Sequence, residues 1–154
     1  MVLSAASVKV CTDTLTVTAE RAPHFIDITD QVEDILRRAA VAHGMAVIYS
    51  RHTTAAIKIN EHEPELLKDM EAMLGRLASP DAAYFHNNFF VRTVNMEEDE
   101  LPNGHAHCQH ILLNTSETVP VINGRLALGR YQRIFVIELD RPRPREIMVQ
   151  IVGS

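Results

Sequence analysis

Eight histidines stand against two cysteines, three tyrosines and no tryptophan in this chain of 154 residues. Four of them, His86, His105, His107 and His110, gather in one stretch. Imidazole is the side chain that ligates a metal or moves a proton near neutral pH. The densest segment reads Asn103-Gly104-His105-Ala106-His107-Cys108-Gln109-His110. In an extended backbone His105 and His107 point the same way. In a helix starting near Ala106, His107 and His110 share a face at i, i+3. Either way two imidazoles could converge, and a transition metal needs three or four donors. His52 and His86 are the candidates for the third. Cys108 faces away from His107 in both geometries and is not counted as a ligand. The alternative reading is a solvated polar turn.

Three further constellations could carry chemistry. In Arg51-His52-Thr53-Thr54 a ring nitrogen and two hydroxyls sit close together. Hydroxyls and free backbone N–H groups hold phosphate oxygens, and Arg51 adds charge. The same residues also suit a strand edge. In Asn60-Glu61-His62-Glu63 the carboxylates could act as bases or ligands, or could cap the helix that follows. It is not the zinc-protease pattern, because position 66 is leucine. Arg141, Arg143 and Arg145 alternate with Pro142 and Pro144, giving a stiff basic turn that could hold an anion. A glycine-rich dinucleotide loop, a Walker lysine loop, a Gly-x-Ser-x-Gly elbow and a Cys-x-x-Cys pair are all absent.

The elements that must position these groups follow from periodicity. Val8 to Thr18 alternates Val and Thr as a strand, and Phe25 to Ile28 reads as a short one. Thr29 or Asp30 caps a helix whose apolar face is Val32, Ile35, Leu36 and Ala39, ending at His43-Gly44. Met45 to Tyr49 and Thr53 to Ile59 are strands. Pro64 opens a second helix. Its stripe of Leu66, Leu67, Met70, Met73, Leu74 and Leu77 is expected in the core. Residues 81–104 are irregular, and His105 to Asn114 forms a short helix or a strand. Asn123-Gly124 between Thr118–Ile122 and Arg125–Leu128 predicts a tight hairpin, since the type I′ turn needs positive φ twice. Ile134 to Leu139 and Ile147 to Val152 are the last strands. Terminal hairpins argue for α+β rather than a doubly wound parallel sheet.

Size and composition agree with one domain over residues 1–154, at 46% apolar and 23% charged residues. The net charge of −5 argues against general capture of nucleic acid. No apolar run is long enough to span a membrane, and the N-terminus lacks the secretory pattern. Cys11 and Cys108 make no disulfide scaffold, so a reducing, cytoplasmic setting is expected.

Taken in order, the motifs resemble those of the YjbQ-like family over about residues 8–153. They are His52-Thr53-Thr54-Ala55-Ala56 leading to Ile59-Asn60-Glu61, Phe85-His86-Asn87-Asn88, Pro102-Asn103-Gly104-His105-Ala106-His107, and Thr115 to Pro120. Gly124-Arg125-Leu126, Leu128-Gly129, Gln132-Arg133-Ile134-Phe135, Glu138-Leu139-Asp140 and Pro142-Arg143-Pro144-Arg145 complete them. The resemblance implies a compact α+β fold of mostly antiparallel sheet layers, with two main helices and a short third. It implies a homotrimer with a histidine-lined pocket. It also implies a secondary thiamine-phosphate synthase, which joins hydroxymethylpyrimidine diphosphate to thiazole phosphate and releases diphosphate, as a weak activity. By matching motif, His52, His86, His107 and Glu61 are the catalytic candidates. Thr53, Thr54, Asn60, Asn103, Gly104 and Arg145 are the substrate-binding candidates. His52, His86 and His107 would form the metal set, for a zinc-like ion rather than magnesium. Otherwise the pocket would hold phosphate or sulfate. The chain departs from the family pattern at Asn88, where Asp is common, and at Tyr131, where Trp is common. Two other readings use the same residues: a metal-assisted hydrolase of a small phosphorylated substrate, and a non-catalytic metal- or ligand-binding protein.

Overall fold

The computed structural model describes residues 7–154. Eight strands and three α-helices follow in the order β1 (Lys9–Thr18), β2 (His24–Asp27), α1 (Thr29–Ala39), β3 (His43–Ser50), β4 (Ala55–Glu61), α2 (Pro64–Leu77), α3 (Gly104–His110), β5 (Ser116–Ile122), β6 (Arg125–Leu126), β7 (Gln132–Glu138) and β8 (Pro144–Gly153). A single 3-10 turn, Phe85–Asn87, precedes α3. The strands make a five-stranded sheet in the order β1-β8-β3-β5-β6 and a three-stranded sheet in the order β2-β7-β4. Every strand pairing is antiparallel. The α+β architecture expected from the terminal hairpins is therefore the observed one.

β7 shows why the layers stack as they do. Side chains alternate across a strand. Ile134 and Val136 join a core with Ile48, Val149 and Ile151 of the large sheet and with Val32, Ile35 and Leu36 of α1. Phe135 and Ile137 join a second core with Leu74 of α2 and Ala106 of α3. The small sheet is thus buried on both faces. That explains its unbroken apolar run, which alternation alone would not produce. The second core anchors α3, and with it the histidine-rich segment.

The turn of the expected hairpin holds, with φ of 53° and 72° at Asn123 and Gly124, although its second strand ends at Leu126 rather than Leu128. Three expectations are corrected. Helix α1 is not capped by Thr29 or Asp30; its N-cap is Ile28, and the Asp27 carboxylate accepts from the N–H and hydroxyl of Thr29. The helix also stops before His43-Gly44, at Ala40 in the left-handed conformation. Gly44 lies instead in β3, where a Cβ would stand 2.0 Å from the carbonyl oxygen of Val152, so glycine permits the close approach of β8. The α2 stripe is only partly core. Leu74 is 1% exposed, whereas Leu77 is 60% exposed. The helix lies on the outer face of the small sheet, and only its middle is covered.

Candidate functional site

The turn between β7 and β8 supplies the floor. Arg145, at the start of β8, is sunk against Glu138 at the end of β7. Its Nε and Nη2 donate to the two carboxylate oxygens at 2.5 and 2.6 Å. Nη2 also donates to Thr54 Oγ1 at 2.9 Å. All three residues are buried. A bidentate pair of this kind tolerates burial because its donors and acceptors are matched. It fixes the two strand ends between which Asp140 to Arg143 project. Arg143 donates to Asp140 at 2.6 Å and to Thr54 Oγ1 at 3.3 Å, while its Nε has no partner. Arg141 pairs with no carboxylate among the described residues, and its Nη1 is likewise without a partner.

The histidine wall is built by a clip between two short helices. Asn87 Oδ1 accepts from the backbone N–H groups of Asn103 and Gly104 at 3.1 and 2.9 Å. Gly104 is required by packing, since a Cβ there would lie 2.5 Å from Cβ of Tyr84. The clip sets the 3-10 turn against α3, and the rings of His86 and His107 meet edge-on with centroids 4.6 Å apart. Burial, followed by the charges of its neighbours His86, His110 and Arg92, pushes the pKa of His107 below the ordinary histidine value, against a smaller opposing pull from Asp140.

A strap over residues 88–101 closes one side. Arg92 donates to both oxygens of Glu100 at 2.6 and 2.7 Å, and to the carbonyl of Asn95 at 2.7 Å. Its Nη1 also lies 3.2 Å from His86 Nε2. A guanidinium only donates, so this ring nitrogen acts as the acceptor. Together these parts enclose a cavity of about 800 Å³, into which Thr53, His86, Arg92, Asn103, His107, Arg141 and Arg143 project. Exposed Glu97 and Asp99 stand at its rim. Asn103 Oδ1 is buried without a partner.

The structure gathers Thr53, His86, Asn103 and His107 as the sequence motifs led one to expect. It separates the others. His52 is half-buried, with Nε2 3.2 Å from both the backbone nitrogen and the carbonyl oxygen of Glu146, and it does not line the cavity. Burial, then the charges of Arg145 and Arg143, lowers its pKa. Thr54 and Arg145 are bonded to each other beneath the surface, so both position the site rather than touch a ligand. Asn60 and Glu61 sit at the far end of β4, roughly 20 Å from Thr54 by the rise of an extended strand. There Asn60 Nδ2 donates to Met70 Sδ. Gly104 supports Tyr84. Glu63, not Glu61, does the capping: its carboxylate accepts from the N–H groups of Glu65 and Leu66. His110 points elsewhere, with Nε2 buried and unpartnered, so the i, i+3 pair with His107 does not form a site.

His52, His86 and His107 do not converge as a three-histidine metal centre requires. Two imidazoles meet, the third is held by β8, and Arg92 places a cation against His86. Among the described residues no group of three or more His, Cys, Asp or Glu side chains is placed to hold a metal ion. The residues of one chain do not fit such a centre. Unpartnered arginine nitrogens fit an anion instead. The sequence did not mark Asn87 or Arg92: Asn87 bonds backbone groups 16 and 17 residues further on, and Arg92 bonds within an irregular strap that has no periodic pattern.

Among the described residues no helix is long and apolar enough to cross a membrane. The chain is 40% identical to a UPF0047 protein of Methanothermobacter thermautotrophicus over 95% of this chain and 94% of that one. It is 36% identical to the UPF0047 protein YugU of Bacillus subtilis over 91% and 98%. Among solved structures, a YbjQ-like protein of unknown function from Sulfolobus solfataricus superposes with a TM-score of 0.86 at 35% identity, covering 96% of this chain and all (100%) of that one. A hypothetical protein from Aeropyrum pernix gives a TM-score of 0.82 at 35% identity, covering 93% and 98%. The model of the UPF0047 protein YjbQ-like family matches residues 13–154, and the chain belongs to that family.

Proposed function

We propose that the cavity binds a phosphorylated small molecule, and that the protein catalyses transfer of the secondary thiamine-phosphate synthase type. One observation carries this reading: Arg141 Nη1 and Arg143 Nε are left without partners beside the His86–His107 pair. Buried donors without acceptors are costly, and an anion would satisfy them. In the reaction the thiazole nitrogen attacks the exocyclic methylene carbon of hydroxymethylpyrimidine diphosphate. A C–N bond forms, the C–O bond to diphosphate breaks, and the electron pair leaves with the diphosphate. Catalysis then consists mainly of stabilising that leaving group. Arg141 and Arg143 supply fixed charge. His107, neutral in the free protein, can donate a hydrogen bond to a phosphate oxygen. No step requires a metal held by this chain.

The same reading includes a cytoplasmic homotrimer. Phe90 is fully exposed, and Val91 beside it largely so. Apolar patches of this kind mark contact surfaces. Subunit contacts there would bring neighbouring chains close to the cavity.

The test incubates the purified protein with both precursors and follows thiamine phosphate and diphosphate by mass spectrometry, with and without chelator. Stoichiometric formation of both products, lost in Arg141→Ala and His107→Ala, is expected. Phosphate or diphosphate released from one precursor alone would replace the transferase with a hydrolase. Phosphate binding without turnover of any phosphate ester would leave a binding protein.

A further inference from the structure

A second cavity of about 470 Å³ lies against the first, and His86 and His107 line both. Its other walls include Tyr84, Phe85, Gly104 and Cys108. The two cavities differ in chemistry. The first presents three arginines and several carboxylates, whereas no Asp, Glu, Lys or Arg lines the second. The imidazole pair borders a charged chamber on one side and an apolar one on the other.

We propose that the apolar chamber is the subsite for the ring of the ligand. The protein would then take aryl or heteroaryl phosphate esters, with the phosphate against Arg141 and Arg143 and the ring against Tyr84 and Phe85. This rests on the reading of the first cavity as a phosphate site. Three features favour a flat ring as the occupant. Tyr84 is fixed by its hydroxyl, which donates to the carbonyl of Ser79 at 2.7 Å, and by Gly104, whose missing Cβ makes room for it. Its polar end is thus engaged and its ring is held in place. Phe85 is fully exposed in the isolated chain, and a ring packed on it would remove that apolar surface from water. Both chambers are bordered by His86 and His107, so a ligand with its phosphate in the first and its ring in the second would lie across that pair of imidazoles. Ligand pockets are commonly built this way, from apolar walls and a few placed polar groups.

The test is calorimetric titration of the full chain with inorganic phosphate, glycerol phosphate and phenyl phosphate, the two esters differing in the ring. Phenyl phosphate is expected to bind roughly tenfold or more tighter than glycerol phosphate, as burial of a phenyl ring allows. In Cys108→Trp, which fills the chamber from an exposed position, the ratio of the two affinities should fall towards one. Phe85→Ala, which removes an exposed ring and leaves the core intact, should lower the same ratio. Equal binding of both esters by the unaltered protein overturns the ring subsite and leaves the phosphate site standing. Failure of all three ligands overturns both. A ratio unmoved in both variants overturns the subsite, and if Cys108→Trp also lowers the oligomeric mass, the chamber is a contact between subunits.

Discussion

Arg145 and Arg141 leave the same turn between β7 and β8 and meet opposite surroundings. Arg145 is buried, and its Nε and Nη2 are matched to Glu138 and Thr54. Arg141 is half-buried, has no carboxylate partner among the described residues, and leaves Nη1 unsatisfied. The first arrangement is closed: every charge is answered within the chain, and it determines where the strands end. The second is open: its donor faces a cavity that water or a bound anion can fill, and the anion makes the stronger, charge-assisted bond. Cationic residues of one turn thus divide between building the frame and facing the cavity. Exposure and unmade bonds reveal which does which, whereas residue type does not.

The comparison can be broken most forcefully at the frame. Arg145→Met strands Glu138 in the interior, and a loss of about 3–5 kcal/mol in urea denaturation is expected. Adding Glu138→Leu should recover part of it. A loss as small as that of a surface substitution would show that the pair is not buried as described. Next in size is Gly104→Ala. Its Cβ would press on Tyr84, costing about 1–3 kcal/mol as an overpacked contact does. It should also weaken phosphate binding by shifting His107 from His86, and loss of stability without loss of binding would uncouple the clip from the site.

Arg141→Ala should do the reverse. Phosphate affinity measured by calorimetry should fall about tenfold, the effect of one hydrogen bond to a charged group. Folding stability should stay within about 0.5 kcal/mol of the parent, as for a surface substitution. A large stability loss would place Arg141 in the frame.

The smallest effect is a pH dependence. His52, His107 and His110 all have lowered pKa values, in each case chiefly from burial. The folded chain therefore binds fewer protons than the unfolded one below about pH 6.5, the ordinary histidine value. Their contribution to stability is complete above that pH and is lost as pH falls through the lowered values. Urea midpoints should drop between about pH 7.5 and 5.5. Saturating phosphate should flatten the drop, because it favours the charged form of His107. A drop unaffected by phosphate would assign the effect to His52 and His110 alone.

Local pattern made much of the fold legible. Asn123-Gly124 announced its hairpin because positive φ is a property of those two residues. The antiparallel α+β class followed from where strands and turns fall. The helical period of the α2 stripe points it to the core, but period cannot tell how much of a helix is covered. Leu74 is buried and Leu77 is not. Gly44 looked like a helix stop because glycine serves both at caps and at close contacts, and only the approach of β8 distinguishes them.

For the site, the sequence by itself determined which residue types were available: a histidine-rich segment, a His-Thr-Thr corner and a proline-stiffened arginine turn. It could not determine which of them meet. His86 and His107 converge because Asn87 bridges to the start of α3, and His52 is drawn off by the backbone of β8. Arg145 becomes frame because Glu138 waits at the end of the neighbouring strand. These contacts join residues distant in the chain, and their energies depend on burial and distance. Neither quantity exists until the sheets are stacked.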